Sequence, residues 1–247
     1  MALLEGKTAV ITGGARGLGS AIATAMAAEG AHAVVVDRNS EAASELVAQI
    51  NASGGSATSE VLDIGDREAV KAFGERMIDQ FERIDVLVNN AGIAPRIRPQ
   101  DPDQMQKWDQ VVSINLTAQW DITVALLPGL KHPGASVIFL SSIAGFSAPR
   151  SSAAYGATKA AIRSLVQYFA RDLGPTGGRA NGLAPGRMKS DLMTVTGEAG
   201  DKFIQRLPLG RVGETEEIVG PAVFLASNMS SYVTGVTIPV DGGYLAL

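Results

Sequence analysis

Residues 7–29 read KTAVITGGARGLGSAIATAMAAE and contain three segments of different character. Residues 7–12 are rich in β-branched side chains and predict a β-strand. Glycines follow at positions 13, 14, 17 and 19, and the alanine-rich residues 20–29 predict a helix. Glycine lets the backbone turn tightly and approach a pyrophosphate, whose charge is favoured by the unpaired N–H groups at the start of a helix. The stretch therefore predicts a strand, a phosphate-binding turn and a helix.

A P-loop is the rival interpretation of these glycines. Gly14 and Gly19 have the separation of the two P-loop glycines. Ser20, however, stands where the phosphate-binding lysine of a P-loop belongs, so this interpretation is set aside. The spacing Gly-x-x-x-Gly-x-Gly also differs from the usual dinucleotide fingerprint, so the interpretation depends on the residues that follow.

Strand and helix patterns alternate after the glycine turn. Three more strands and two more helices are predicted, at residues 32–36, 57–62 and 84–88 and at residues 39–51 and 66–82. Successive βα units imply a parallel, doubly wound sheet, whose ligands bind at the carboxyl ends of the strands. Asp63, Asn89 and Gly92 fall at that edge. The sequence therefore predicts an α/β protein with a ligand site there.

Asp37 ends the second predicted strand, 18 residues after Gly19. A carboxylate at this place can accept hydrogen bonds from the ribose hydroxyls of adenosine and would repel a 2′-phosphate. Arg16 and Arg38 lie nearby in the sequence, and each could instead pair with a 2′-phosphate. The sequence favours NAD over NADP, and NADP stays open as the alternative.

The composition excludes several other classes. Of the 247 residues 46% are hydrophobic, which suits the core of one large α/β domain. A net charge of −4 offers no basic surface for nucleic acid or for an anionic membrane. The chain has no cysteine and only two histidines, His32 and His132, so we expect no metal site and a reducing, cytoplasmic location. We also expect neither a signal peptide nor a membrane span.

Residues 141–159 read SSIAGFSAPRSSAAYGATK and bring a hydroxyl, a phenol and an ammonium into one segment. Tyr155 and Lys159 are four residues apart, so they share a face of a helix. A neighbouring cation favours the phenolate and lowers the pKa of a tyrosine from its usual value of about 10, which makes Tyr155 a candidate acid and base. Ser142 could then hold a substrate oxygen. The alternative is that Tyr155 and Lys159 lie on an ordinary solvent-exposed helix face, since this spacing is common.

Six motifs occur in the order and spacing of one known family. They are Thr12-Gly13-x-x-x-Gly17-x-Gly19, Asn89-Asn90-Ala91-Gly92, Asn115, Ser142, Tyr155-x-x-x-Lys159 and Pro185-Gly186. Together they resemble the short-chain dehydrogenase/reductase family, over residues 7–243. The resemblance implies a single-domain, Rossmann-like, doubly wound parallel sheet of about seven strands with helices on both faces, spanning residues 1–247. It also implies an enzyme that binds NAD or NADP and passes a hydride to or from a carbonyl or alcohol carbon, and by analogy a homotetramer.

The resemblance also implies a role for each of four candidate catalytic residues. Tyr155 would exchange a proton with the substrate oxygen, and Lys159 would lower the pKa of Tyr155 and bind the nicotinamide ribose. Ser142 would polarise and orient the substrate oxygen. Asn115 would hold the helix geometry and a water that relays protons beside Lys159.

The predicted cofactor contacts cover the whole carboxyl edge of the sheet. They are Gly13, Arg16, Gly17, Leu18, Gly19, Asp37, Asp63, Ile64, Asn90, Ala91, Gly92, Tyr155, Lys159, Pro185, Gly186, Met188 and Ser190. A substrate lid is expected over about residues 187–209, with glycines that allow closure.

Two long helices and a weak strand are predicted in the second half. Residues 99–128 should contain one helix, in which Trp108, Val112, Leu116 and Trp120 recur every fourth residue. This spacing predicts a buried stripe that can continue into a subunit interface. Residues 153–173 should form the helix that carries tyrosine and lysine. The sixth strand, within residues 174–186, contains Ala180 and Gly182 and must be held by its neighbours.

The substrate is less constrained. Candidate pocket residues lie at 94–98, at 144–150 and in the lid. Apolar members favour an apolar cavity, namely Phe146, Ala148, Met188, Leu192 and Met193. Arg96, Arg98 and Arg150 could instead bind a carboxylate or phosphate, or could simply be exposed.

Three functions stay open. The first is an NAD-dependent dehydrogenase of a secondary alcohol, polyol or sugar acid, which Asp37 favours. The second is a reductase of 3-oxoacyl thioesters that uses NADPH. The third is a protein that only binds NAD, against which the acid–base residues argue, since binding alone does not need them.

Overall fold

A seven-stranded parallel sheet forms the centre of the computed structural model, which describes residues 2–147, 151–189 and 203–246. The spatial order of the strands is β3-β2-β1-β4-β5-β6-β7. The strands are β1 (Thr8–Thr12), β2 (His32–Asp37), β3 (Ser56–Val61), β4 (Val86–Asn89), β5 (Ser136–Leu140), β6 (Arg179–Pro185) and β7 (Thr237–Val240). The order reverses between β1 and β4, and such a switch point opens a crevice at the carboxyl ends of the strands.

Helices cover both faces of this sheet. They are α1 (Gly17–Ala28), α2 (Ser40–Ala52), α3 (Arg67–Phe81), α4 (Gln104–Val112), α5 (Ala118–Leu130), α6 (Ala153–Leu173) and α7 (Val219–Ala226). One apolar core lies between the sheet and α1, α2 and α7. A second core lies on the opposite face, against α3, α5 and α6. The predicted doubly wound α/β architecture is confirmed.

The long helix predicted over residues 99–128 is divided. It begins at Gln104, is interrupted by a π-helical turn over Ser113–Thr117, and ends at Leu130. The predicted stripe is wrong in phase: Trp108 is 38% exposed, and Val112, Leu116 and Trp120 are only half-buried. The buried positions are one residue away, for example at Val111. The every-fourth-residue pattern therefore marks the edge of the core: Leu116 and Trp120 still pack against it, while Trp108 is exposed.

The weak sixth strand is held in place as predicted. All residues of β6 are buried between β5 and β7. A side chain at Gly182 would approach Oγ1 of Thr237 to 2.7 Å, so the small residue is needed for close strand packing. Burial and pairing on both sides outweigh the poor intrinsic strand propensity.

Parts of the predicted substrate region lie outside the described residues. This applies to residues 190–202 of the predicted lid, including Ser190, Leu192 and Met193, and to Ala148 and Arg150. In the described ranges no helix combines the length and the apolar character that crossing a membrane requires.

Candidate active site

The turn between β1 and α1 requires glycine, because larger side chains would be strained or would collide there. Gly13 and Gly17 have φ of 59° and 57°, in the left-handed region that favours glycine. A Cβ on Gly13 would lie 2.9 Å from Cα of Ala91, and one on Gly19 would lie 2.6 Å from Nδ2 of Asn90. The turn after β1 therefore packs directly against the turn after β4.

Thr12 and Asn90 hold these two turns together. Oγ1 of Thr12 accepts hydrogen bonds from the backbone N–H groups of Asn90 at 3.1 Å and Ala91 at 3.2 Å. Nδ2 of Asn90 donates to the carbonyls of Thr12 at 3.0 Å and Gly13 at 2.9 Å. The side chain of Asn90 thus fixes the turn, so its neighbour Ala91 is held at a defined position over the sheet edge.

The first turn of α1 is open to a ligand. No side chain caps it, whereas Asn39, Asp66 and Ser152 cap α2, α3 and α6. No acidic residue lies in this first turn of α1. The free N–H groups and the helix dipole are therefore available to an anion.

Asp37 lies beside this turn at the end of β2. Its Oδ2 accepts a hydrogen bond from the N–H of Ala15 at 3.2 Å, and its Oδ1 accepts one from the N–H of Asn39 at 3.0 Å. Each carboxylate oxygen keeps further acceptor capacity. Arg16 and Arg38 are both exposed. The carboxylate is thus fixed by backbone groups, while the two guanidinium groups extend into solvent.

The turn after β3 presents its backbone, more than its side chains, to the crevice at the sheet edge. Oδ1 of Asp63 accepts a hydrogen bond from the N–H of Gly65 at 2.9 Å, so this carboxylate stabilises its own turn. Ile64 is 7% exposed and packs in the core on the α3 side. For Ile64, the backbone is what remains to face a ligand.

Asn115 lies in the π-helical turn between α4 and α5 and is completely buried. Its Oδ1 accepts from the N–H of Ile93, and its Nδ2 donates to the carbonyl of Ile93, both at 2.8 Å. A Cβ on Gly92 would lie 3.2 Å from Oδ1 of Asn115 and 3.7 Å from Nζ of Lys159. The structure therefore brings Asn115, Gly92 and Lys159 together. Single π turns are frequent at functional sites.

Ser142 and Tyr155 come from neighbouring elements. Ser142 follows β5 and begins a short 3₁₀ turn, Ile143–Gly145, whose Ala144 N–H donates to its Oγ at 3.1 Å. Tyr155 lies in the first turn of α6, and its N–H is capped by Oγ of Ser152 at 3.4 Å. Nζ of Lys159 lies 5.7 Å from the centre of the Tyr155 ring. Hydroxyl, phenol and ammonium thus lie close together.

The pKa of Tyr155 departs from the sequence-based prediction. Burial of its hydroxyl raises the pKa above the ordinary value, and the nearby Ser142 hydroxyl opposes this only in part. The predicted lowering by Lys159 is therefore wrong for this structure, because desolvation of the phenolate is the larger effect.

Lys159 is one of the most buried charged groups in the described chain, with 4% exposure. Its ammonium donates a hydrogen bond to the carbonyl of Leu140 at 2.6 Å. Burial lowers its pKa from 10.5 to about 8. Sequence spacing identified the pair with Tyr155, but desolvation depends on the fold and could not be read from spacing.

The last predicted contacts follow β6. Pro185 ends that strand, and a Cβ on Gly186 would lie 2.7 Å from Cα of Asp241, so this turn packs against the end of β7. Met188 is buried and forms an isolated bridge with Gly213. Its side chain belongs to the core on the α1 side.

Three supporting residues were missing from the predicted site. Thr12 bonds both N–H groups of the β4 turn, and its place directly before Gly13 is the sequence signal that could have identified it. Ser141 donates through Oγ to the carbonyl of Lys159 at 2.7 Å. Arg163 donates through Nη1 to the carbonyl of Gly145 at 3.0 Å. For the last two residues, only the packing of the 3₁₀ turn on α6 reveals the contact.

The residues present fit a dinucleotide. The uncapped helix start suits a pyrophosphate, the glycine turn leaves room where a Cβ would collide, and Asp37 offers acceptors for ribose hydroxyls. No group of three or more potential metal-binding His, Asp or Glu side chains occurs within residues 2–147, 151–189 and 203–246.

Comparison with known proteins gives full-length matches. A family model described as enoyl-(acyl carrier protein) reductase matches residues 13–245. A 3-oxoacyl-[acyl-carrier-protein] reductase FabG of Thermotoga maritima is 36% identical, over 97% of this chain and 98% of that protein. A trans-4-hydroxycyclohexanecarboxylate dehydrogenase of Sinomonas cyclohexanicum is 37% identical, over 97% and 93% of the two chains. A solved structure of a putative NAD(P)-dependent gluconate 5-dehydrogenase from Beutenbergia cavernae, with NADP bound at low occupancy, is 36% identical. It superimposes with a TM-score of 0.92 and covers 99% of this chain and 98% of that one.

Proposed function

We propose that this chain, which belongs to the short-chain dehydrogenase/reductase family of NAD(P)-dependent oxidoreductases, is an NAD-dependent dehydrogenase of a small secondary alcohol or its ketone. The substrate class is a polyol, a sugar acid or another small hydroxy compound. The observation that carries the proposal is the junction of Tyr155, Ser142 and the buried Lys159 ammonium beside Gly92. A module that only binds a nucleotide has no need to bury this ammonium, which costs stability.

In this proposal the chain supplies a proton and fixes the substrate oxygen. A bound nicotinamide would supply or accept the hydride. Tyr155 donates its phenolic proton to the carbonyl oxygen during reduction, and the Ser142 hydroxyl donates a hydrogen bond to the same oxygen. Because burial raises the pKa of Tyr155, the phenol is protonated at neutral pH and ready to act as the acid. The ammonium of Lys159 then stabilises the phenolate that remains.

Asn115 and the sheet edge position these groups. Both amide atoms of Asn115 bond the backbone of Ile93, which fixes the turn containing Gly92 beside Lys159. The cofactor contacts predicted from the sequence would then follow the crevice from the glycine turn to the Pro185–Gly186 turn. Ser190 stays a predicted contact, because it lies outside the described residues.

The choice of NAD rests on Asp37. Its carboxylate is anchored by two N–H groups, one to each oxygen, so it cannot swing away from a ribose without losing them. A 2′-phosphate placed beside it would meet an uncompensated negative charge. Arg16 and Arg38 are exposed and flank the site, which keeps an NADPH-dependent 3-oxoacyl-thioester reductase as the alternative. The similarity to the Thermotoga maritima reductase supports the same alternative.

Side-by-side assays with NADH and NADPH test these proposals. The carbonyl substrates are a cyclic keto acid, keto-sugar acids and a 3-oxoacyl thioester. A cyclic hydroxy acid and a polyol are assayed with NAD⁺ and NADP⁺, because an alcohol can only give up a hydride. Turnover of NADH with a ketone or keto acid supports the dehydrogenase, whereas NADPH with the thioester replaces it by the reductase. Tyr155→Phe should keep NADH binding and lose turnover. A fully active Tyr155→Phe enzyme would remove Tyr155 from the mechanism.

We further propose a cytoplasmic homotetramer. Support for assembly comes from the outer apolar face of the α4–α5 helix pair and α6, where Trp108, Val124 and Tyr168 are 38%, 41% and 44% exposed. A native mass of four chains in solution is the expected result, and a monomer at all concentrations would refute it. The location and the single-domain organisation of residues 1–247, with a lid over 187–209, rest on composition and on the resemblance.

A further inference from the structure

The Ser142 turn and α6 carry different parts of the proposed chemistry, so their relative position matters. Ser142 and the 3₁₀ turn that follows it come from the end of β5. Tyr155 and Lys159 come from α6. In the sequence, 12 residues separate the serine from the tyrosine. The two hydroxyl groups can act on one substrate oxygen only if some contact fixes the turn against the helix.

Contacts with the Lys159 peptide join the turn to α6. Oγ of Ser141 donates to the carbonyl of Lys159 at 2.7 Å. Gly145 packs so tightly on the same peptide that a Cβ would lie 2.5 Å from the Lys159 carbonyl oxygen. These contacts set the distance between turn and helix. The turn also packs on the start of α6, where a Cβ on Gly156 would lie 3.4 Å from the carbonyl oxygen of Ala144.

Arg163 supplies a further contact, one helical turn beyond Lys159. Its Nη1 donates to the carbonyl of Gly145 at 3.0 Å. Its guanidinium carbon lies 3.7 Å from the centre of the Phe146 ring, which is stacking distance. One planar cation therefore binds both the last carbonyl of the 3₁₀ turn and the side chain that follows it. A lysine could not make both contacts with the same geometry.

The contact is partly shielded from water. Arg163 is half-buried, and its Nε is buried without a hydrogen-bond partner among the described residues. An arginine with an unsatisfied buried donor is costly unless its other contacts compensate. Arg163 therefore covers one face of the Phe146 ring, while 37% of this residue stays exposed.

We propose that Arg163 is a positioning residue, which clamps the Ser142 turn onto α6 and thereby holds the Ser142 hydroxyl in line with the Tyr155 phenol. Arg163 touches neither substrate nor cofactor in this role; it acts through Ser142. The inference rests on the proposed function for its kinetic consequence, because misplacement of a catalytic group by about 1 Å can cost on the order of 100-fold in rate.

The kinetic test is a double-mutant cycle of Arg163→Met and Ser142→Ala. Arg163→Met should lower kcat for ketone reduction by about 10- to 100-fold and leave the Kd for NADH unchanged. In the Ser142→Ala background the same substitution should have no further effect, because the group through which it acts is gone. Arg163→Lys should give an intermediate kcat. Arg171→Met, at an exposed position of the same helix, is the matched control and should leave kcat unchanged.

The proposal would be overturned if Arg163→Met lowered kcat by the same factor in the wild-type and the Ser142→Ala enzymes. An unchanged kcat in Arg163→Met, or a loss of NADH affinity that parallels the loss of kcat, would also overturn it. If Arg163→Met does not fold, Phe146→Leu removes the stacking partner alone and should enter the same cycle with a smaller effect. Additivity of Phe146→Leu with Ser142→Ala would equally refute the clamp.

A second readout does not need turnover. The Ser142 hydroxyl favours the ionised form of Tyr155, so a displaced Ser142 should raise the pKa of Tyr155. Ultraviolet titration of tyrosinate, with Tyr155→Phe as the reference, isolates this group from the other tyrosines. Arg163→Lys keeps the positive charge on α6, and Lys159 is unchanged, so a rise in this variant reports position. Ser142→Ala should raise the pKa of Tyr155, and an unchanged pKa in Arg163→Lys beside that rise refutes the clamp, even if the enzyme proves inactive on every substrate tried.

Discussion

Replacing Lys159 by methionine should stabilise the protein at neutral pH while removing its activity. Lys159 is 4% exposed, and burial lowers its pKa from 10.5 to about 8. One pKa unit corresponds to about 1.4 kcal/mol, so holding the ammonium charged inside the folded chain costs about 3 kcal/mol near pH 7. Methionine fills a similar volume and carries no charge. The variant loses the hydrogen bond to the Leu140 carbonyl, which is worth about 1 kcal/mol. A net gain of about 2 kcal/mol is therefore expected.

The sign of this difference depends on pH. Between the folded pKa of about 8 and the unfolded pKa of 10.5 the unfolded chain binds the extra proton, so the stability of the wild-type protein rises with pH across that window. Above it the lysine is neutral in both states, and the penalty has vanished. The only difference in stability that then remains is the hydrogen bond to Leu140, which the methionine variant lacks. Wild type should then be the more stable protein by about 1 kcal/mol, so the two curves cross.

Urea unfolding at several pH values measures both free energies of unfolding. Lys71→Met, at an exposed position of α3, is the control for replacing a lysine where water reaches the side chain. A Lys159→Met protein that is less stable than wild type near neutral pH, or a difference that does not change with pH, would show that the buried ammonium is not destabilising. The desolvation argument would then fail.

Three other predictions address the cofactor half of the site and the acid–base group. Asp37→Ala should weaken NADH binding by on the order of 100-fold, since two hydrogen bonds to a carboxylate are worth about 3 kcal/mol. Asp37→Asn should bind NADPH and lose less affinity for NADH. Fluorescence titration gives the Kd values for both cofactors, and an unchanged ratio of the two Kd values would exclude Asp37 from the choice of cofactor. Gly19→Ala should lower the free energy of unfolding by about 1–3 kcal/mol and abolish NADH binding, because its Cβ would lie 2.6 Å from Nδ2 of Asn90. Gly220→Ala is the control, because no atom lies within 4 Å of its Cβ, and it should not destabilise the protein. Ketone reduction should stay constant up to neutral pH and begin to fall near pH 8, where the Lys159 ammonium that stabilises the phenolate loses its proton. A rate that stays constant until Tyr155 itself ionises, a group whose pKa burial raises, would show that the charge on Lys159 is not needed for the reaction.

The elements of the fold were predictable because their signals are local. The predicted bounds of α6, residues 153–173, agree with the structure, since Ser152 caps the helix and an apolar repeat continues to Leu173. The glycine turn, Asp37 and the turn after β4 follow strands, and parallel strands bring their carboxyl ends to one edge. Each of these inferences needs only the chain within a few residues of the motif.

The features that were missed depend on packing between distant segments. The apolar stripe at Trp108 was assigned to the core because periodicity reports a shared face and does not report which partner covers it. The π turn at Ser113–Thr117 shifts the phase of the helix, and no residue in it signals the extra residue per turn. The pKa of Tyr155 was predicted in the wrong direction because spacing shows the neighbouring charge of Lys159 but not the burial that raises this pKa.

The packing of α6 has to offset the free-energy cost of the charged group that this helix buries. Its amino-terminal part carries the buried ammonium of Lys159, while its carboxyl-terminal part inserts Val166, Phe169 and Leu173 into the core on that face of the sheet, each with no more than 1% exposure. Burial of three such side chains contributes several kcal/mol, on the order of 2 each, which exceeds the penalty at Lys159. Truncating Phe169 should therefore lower stability without changing the pH dependence of the reaction, whereas changes at Lys159 should alter both. Because one continuous helix joins the two parts, the apolar carboxyl-terminal half is what allows the other half to hold a charge away from water.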